Sequence, residues 1–278
     1  MKKLFDSSSY DCSKLITNTY STSFSLGIKL FGRSIRPAIY AIYGFVRYAD
    51  EIVDTFHDYD QEKLLDEFEE EYQKAIDRKI SLNPILNSFQ EVVHNYELYE
   101  YVEDFMRSMR YDLSVDDYTS EEAYKDYIYG SADVVGLMCL RVFVNNDNER
   151  FEELKGFAKH LGSAFQKVNF LRDLNADLEG LGRSYFPNLT GRDLNESTKQ
   201  EIIADIEADF AEAYKGVVKL PLESRLGVYL AYRYYQGLLS KLKRLDCTRI
   251  MTQRTRISDP IKLYIMFKAI ARYKLNLI

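Results

Sequence analysis

Residues 40–54 read Tyr40-Ala-Ile-Tyr43-Gly-Phe-Val-Arg47-Tyr-Ala-Asp50-Glu-Ile-Val-Asp54, almost wholly apolar apart from Arg47 and the closing acids. On a helix, four residues turn about 40° past a full circle and rise roughly 6 Å. Asp54 therefore stands above Asp50 on one face, and Arg47, three residues earlier, joins it. Like charges at this spacing repel by about a few tenths of a kcal/mol on an open surface, and by more where water is excluded. Carboxylates in such an apolar setting need a compensating group.

Outward from this stretch, apolar residues recur at three-to-four spacing through most of the chain, and runs of alternating apolar and polar residues are short. With only five prolines and thirteen glycines, the chain reads as all-α, with no sheet. Helices are expected near 34–57, 61–78, 84–112, 120–144, 149–179, 196–218, 222–245 and 259–275. Their starts are marked by Ser34 with Pro37, Asn83-Pro84, Thr119 with Glu122, and Ser258-Asp259-Pro260. Glu62 to Glu71 reads as a solvated helix face. The clearest irregular segment runs from Gly180 to Asn195; it keeps Arg183, Tyr185 and Phe186 beside an acidic helix and is expected to cover a site.

The 278 residues, 46% hydrophobic, suffice for one large core, so one domain spanning 1–278 is expected. The charge is mildly acidic, 37 basic residues against 43 acidic, and no dense Lys/Arg block suits a nucleic-acid backbone. Nucleic acid is excluded as a partner. Cys12, Cys139 and Cys247 are odd in number and far apart, which fits a reducing, cytoplasmic setting rather than a disulfide framework or zinc site. No signal-peptide stretch follows Met1, and no run of 18 residues is free of charge, so no membrane span is expected. The segment Lys262 to Ile278 mixes Leu, Tyr, Ile, Met and Phe with Lys and Arg. A last core helix is the simpler reading, and peripheral contact with a membrane surface is the alternative.

The acidic face recurs in Gln166-Lys-Val-Asn169-Phe-Leu-Arg172-Asp173-Leu-Asn-Ala-Asp177, where Asn169, Asp173 and Asp177 follow at four-residue steps and Arg172 flanks them. Magnesium takes six oxygens, usually one or two carboxylates with water and substrate phosphate, so two such stripes suit a metal-bridged diphosphate. An EF-hand loop is missing, and His57, His94 and His160 supply no Glu-x-x-His pairs for a di-iron bundle. A solvated face remains an alternative for either Asp-x-x-x-Asp taken alone.

From Leu161 to Pro187 the pattern Leu-Gly-x3-Gln166-x2-Asn169-Phe-x-Arg172-Asp173-Leu-x2-Asp177-x5-Arg183-x-Tyr185-x-Pro187 closely resembles a signature of the squalene and phytoene synthase family. Tyr127-Ile-Tyr-Gly-Ser-Ala-Asp133-Val-Val-Gly136-Leu-Met-Cys resembles the other signature, with Asp133 where many members have Gly, Ser or Ala. Ser21-Thr-Ser23-Phe24 and Tyr43-x3-Arg47-x2-Asp50-x3-Asp54 also resemble family motifs, and the likeness spans roughly residues 10 to 265. It implies an all-α isoprenoid-synthase fold around a central cavity. Carried over, it makes Asp50, Asp54, Asn169, Asp173 and Asp177 magnesium ligands, with manganese as an alternative ion. Ser21, Ser23, Tyr43, Arg47, Gln166, Arg172 and Tyr185 would contact diphosphate or shape its pocket. Tyr235 and Arg254 are similar to the family's late Tyr and Arg.

Such enzymes join two allylic diphosphates head to head through a cyclopropylcarbinyl diphosphate, which a second ionisation opens. The form of the signatures resembles a bacterial phytoene synthase, which implies geranylgeranyl diphosphate as substrate. The alternatives are dehydrosqualene from farnesyl diphosphate, or squalene if NADPH supplies hydride. A catalytically silent relative acting as an assembly factor would tend to lose the acids, and chain-elongating prenyltransferases or terpene cyclases carry Asp-Asp-x-x-Asp instead. Among the 23 tyrosines and 16 phenylalanines, the region of Tyr40, Tyr43 and Tyr48 is expected at the cavity, its π faces suited to a cation. No feature of the sequence sets an oligomeric state.

Overall fold

The structure, a computed structural model, describes residues 1–113, 120–180, 186–187 and 194–278, with side chains for all of these except 176–180. Every regular element among them is a helix: α1 (Lys2–Tyr20), α2 (Thr22–Ile28), α3 (Arg36–Asp54), α4 (Gln61–Arg78), α5 (Pro84–Tyr96), α6 (Tyr99–Asp112), α7 (Glu121–Ile128), a π-helical turn (Tyr129–Asp133) continuing into α8 (Val134–Val144), α9 (Asn148–Gly180), α10 (Glu196–Val217), α11 (Leu222–Arg244), the short α12 (Cys247–Ile250) and α13 (Asp259–Lys274).

The apolar run of α3 is explained by burial on two sides. Ile39, Ile42, Tyr43 and Val46 face a central cavity, while Ala41, Phe45 and Ala49 turn away from it and are fully buried. Phe45 stacks on Phe89 of α5 at 4.0 Å and lies 5.2 Å from Phe68 of α4. A helix apolar on nearly all sides is what such a central position requires. Around the cavity stand α2, α3, α8, α9, α10 and α11. The Glu121–Val144 segment is long and apolar enough to pass for a membrane span by composition; here it packs between α6 and α9.

Local chemistry places the helix ends. Asp60, Asn83 and Asn195 cap α4, α5 and α10 by accepting from the backbone N–H groups of Lys63, Ile85 and Thr198. Ser120 caps α7, one residue after the expected Thr119, which lies outside the described residues. Ser34 does not cap α3; its hydroxyl donates instead to Glu223 at 2.9 Å.

Four expectations are corrected. First, α1 and α2 precede the first expected helix. The fully buried residues of α1 are Ser9, Ser13 and Thr17, a stripe of small hydroxyls that hydrophobic periodicity does not register; Ser13 shares a hydrogen bond with Ser88 at 2.8 Å and Asn87 donates to Ser9 at 3.1 Å. Second, the expected 84–112 helix breaks at Glu97, whose positive φ of 54° ends α5. Third, α13 is not a core helix, since Ala269 is its one buried residue. Fourth, of the three tyrosines placed at the cavity only Tyr43 lines it; Tyr40 is buried in the core.

Candidate active site

The cavity has a volume of about 1330 Å³, larger than the roughly 300–1,000 Å³ of ordinary ligand pockets. Twelve of the residues singled out from the sequence line it: Ser21 and Ser23 at the start of α2; Tyr43, Arg47, Asp50 and Asp54 on α3; Gln166, Asn169, Arg172 and Asp173 on α9; Tyr235 on α11; and Arg254 beyond α12. Tyr185 lies outside the described residues. Asp177 belongs to α9, but its side chain is likewise outside them. Arg183 and most of the 180–195 segment, expected to cover a site, also fall outside; Phe186 is buried against Phe170 at 6.1 Å.

The polar residues gather at one end. Arg47 reaches Asp50 at 2.9 Å and also pairs with Glu51, while its guanidinium lies 4.5 Å over the Tyr20 ring. Its Nε is buried with no hydrogen-bond partner among the described residues. Burial, then the neighbouring Asp54, push the Asp50 carboxyl well above the ordinary carboxylate range; Arg47 opposes this and buried Asp112 adds to it. Asp112, which accepts from the Tyr127 hydroxyl at 3.0 Å, is a third acid that sequence reasoning missed; Asp116 follows it at a four-residue step, but no arginine flanks the pair in an apolar run as at the two acidic faces.

Across the cavity, Arg172 grips the carboxylate of its neighbour Asp173, with Nε 2.9 Å from Oδ1. Arg254 holds the same carboxylate from the other side, at 2.8 Å and 3.2 Å. The Tyr235 hydroxyl donates to Asn169 Oδ1 at 3.4 Å, and its ring stacks on Phe165 at 3.9 Å. Burial raises the Tyr43 phenol to about 12, with the Ser21 hydrogen bond and Arg47 pulling the other way, so Tyr43 is a neutral donor at physiological pH. Lys262, missed as a site residue, lies at the rim and donates to Thr22 at 2.7 Å; its sequence signals, the helix start at Ser258-Asp259-Pro260 and the mixed basic and apolar segment that follows, do not point to a cavity.

Away from this end the lining turns apolar. Phe31 meets Phe143 edge-on at 5.1 Å, and Phe157 and Leu154 face them from α9. Two glycines seat these rings: a Cβ on Gly227 would lie 2.2 Å from Phe31, and one on Gly216 would lie 2.3 Å from Phe157. The cavity thus has a charged end and a long apolar body, complementary to an anion carried on a hydrocarbon chain.

All the acids and Asn169 present hard oxygen donors of the kind magnesium takes. Among the described residues no three His, Cys, Asp or Glu side chains converge; Asp50 with Asp54, and Asn169 with Asp173, each offer a partial shell, which water and substrate phosphate would complete.

The squalene/phytoene synthase family profile matches residues 17–260. The chain belongs to the squalene/phytoene synthase family. It is 25% identical over 253 residues to the 4,4'-diapophytoene synthase of Staphylococcus haemolyticus, covering 83% of this chain and 86% of that one. It is 28% identical over 264 residues to the phytoene synthase of Arthrospira platensis, covering 86% and 85%. A crystal structure of a dehydrosqualene synthase matches with a TM-score of 0.83 over 97% of this chain and 98% of that one, at 20% identity, a likeness of fold. As a squalene/phytoene synthase the protein is a prenyltransferase that condenses isoprenoid diphosphates head to head.

Proposed function

We propose that this squalene/phytoene synthase joins two geranylgeranyl diphosphates to phytoene, with magnesium held by Asp50 and Asp54 on α3 and by Asn169, Asp173 and Asp177 on α9. The observation that carries this reading is the depth of the apolar body. From Asp173 to Phe157 the cavity follows α9 for sixteen residues, about 24 Å at the helical rise, a depth suited to an extended geranylgeranyl chain. The phytoene synthases among its relatives support the same substrate. Dehydrosqualene from farnesyl diphosphate is the second reading, favoured by the diapophytoene synthase relative.

Bound magnesium would supply charge neutralisation for a leaving diphosphate. The chain's own residues do the rest. Arg47 on one wall and Arg172 and Arg254 on the other line the charged end, and guanidinium groups bind phosphate oxygens bidentately. Arg254 and Arg172 occupy Asp173 in the structure, so ligand binding exchanges one set of ion pairs for another. Departure of the first diphosphate leaves an allylic cation at C1; the double bond beside the second diphosphate attacks it, and loss of a proton from that C1 closes the ring of a cyclopropylcarbinyl diphosphate. Its ionisation releases the second diphosphate and opens the ring, and loss of a second proton gives the central double bond of phytoene. Tyr43, Phe165 and Tyr235 offer π faces to those cations, and the apolar body excludes water that would quench them.

Incubation of the purified protein and Mg²⁺ with farnesyl or geranylgeranyl diphosphate, with and without NADPH, tests this by identification of the hydrocarbon. Phytoene from geranylgeranyl diphosphate without NADPH is expected. A C30 hydrocarbon alone would replace that reading with the second.

A further inference from the structure

We propose that the outward face of α13 docks the protein onto an anionic lipid surface, with the cleft between α11 and α13 receiving a phosphate-bearing headgroup. Leu263 is 46% exposed, and Tyr264 and Phe267 are each 65% exposed. At about 100° per residue these three fall with Ala271 and Lys274 inside one arc of roughly 100°, opposite buried Ala269. An aromatic and aliphatic ridge of this size needs a covering.

Charge identifies the partner. At the start of α13 Asp259 is paired with Lys262, which turns to the main cavity; beyond them the chain has Lys268, Arg272 and Lys274 and no acidic side chain, although the whole protein carries a net charge of −6. A basic, aromatic-bearing helix face suits the boundary of an anionic bilayer. A second copy would bring like charges together across a symmetric interface, which opposes pairing. Independently, Arg233 of α11 converges with Lys268 and Arg272 on a cleft of about 110 Å³ that Tyr264 also lines and that no acid among the described residues enters; Arg272 donates from Nη2 to the Leu277 carbonyl at 3.5 Å, while its Nε is buried without a hydrogen-bond partner among the described residues. That is a cation-rich pocket at the flank of the apolar ridge.

The placement bears on the reaction only through the proposed apolar product. Lys262 and Asp259, at the start of α13, line the main cavity, so a docked α13 sets the cavity beside hydrocarbon. Docking itself needs no substrate and is measured without one.

Purified protein is floated with vesicles of phosphatidylcholine alone or of phosphatidylcholine with phosphatidylglycerol. Partitioning onto the anionic vesicles is expected to exceed that onto neutral ones by at least about tenfold and to fall as salt is added. The double variant Leu263→Ser/Phe267→Ser and the single variant Lys268→Gln should each weaken anionic binding several-fold, while both turn over detergent-dispersed substrate at the wild-type rate. Equal or absent binding to the two lipids, or variants that bind as wild type, would overturn the proposal. So would a dimer in sedimentation equilibrium that the double variant dissociates, which would give the face to a second copy. Loss of the condensation reaction in the wild type would strike the proposed function instead.

Discussion

Asp50 is held in an apolar wall beside Asp54, and 36% of its side chain faces the cavity. Asp173 sits opposite, bracketed by Arg172 and Arg254. If these carboxylates hold the ions that neutralise the leaving group, Asp50→Asn or Asp173→Asn should lower kcat on the order of a hundredfold or more with the fold unchanged by circular dichroism. Wild-type turnover in either variant would remove the metal assignment. Asp133 behaves differently. Burial raises its carboxyl to about 7; the Ser163 hydrogen bond and Lys159 oppose the rise, Asp209 adds to it, and Lys167 lowers it a little. Below about pH 4 the group is protonated folded and unfolded alike, and between pH 4 and 7 only the folded state keeps the proton, so stability falls as pH rises through that window and levels above it. Asp133→Asn removes this dependence. Its stability relative to wild type should therefore be greater at pH 8 than at pH 5, by on the order of 1–4 kcal/mol in urea denaturation; no difference between the two pH values would refute the buried-acid account. The paired acids were legible from spacing alone, whereas Asp112 and Lys262 were not, because their relation to the cavity comes from contacts between distant helices.

Helices with apolar faces were legible to within a few residues, as with α4, expected at 61–78 and found at Gln61–Arg78. What was lost follows from how each element is held. The break at Glu97 is a left-handed cap on a residue that rarely takes one, and α1 buries hydroxyls where periodicity looks for hydrocarbon. The π-helical turn was also unannounced, although it falls within the Tyr127–Cys139 pattern. There Gly162 of α9 approaches so closely that a Cβ would lie 2.9 Å from the Ala132 carbonyl oxygen and 3.0 Å from Asp133 Cα, and the extra residue of a π turn moves the following side chains around the helix. Backbone atoms cannot swing aside, so Gly162→Val should cost about 1–3 kcal/mol or more, read as a lowered Tm. An unchanged Tm would mean that the two helices separate without penalty.

For the whole molecule, the size of the cavity and its aromatic floor set the scale of the substrate. Phe157 and Phe31 stand on Gly216 and Gly227, so neither ring can retreat when a longer chain presses on it. Phe157→Ala should deepen the cavity and raise kcat/KM for the longer of two prenyl diphosphates relative to the shorter, measured by competition between them; an unchanged ratio would place the limit elsewhere. Stability is not shared evenly around this cavity. The α1 helix is fastened by hydroxyl pairs, with none of its apolar side chains fully buried, while α3 is gripped by stacked phenylalanines. In native-state hydrogen exchange, α1 should therefore form its own foldon, opening at a free energy well below that of α3. Since α2 hangs directly from it at Ser21, each such opening would slacken the tether of a cavity wall without melting the core, giving the protein a breathing motion centred on its N-terminus.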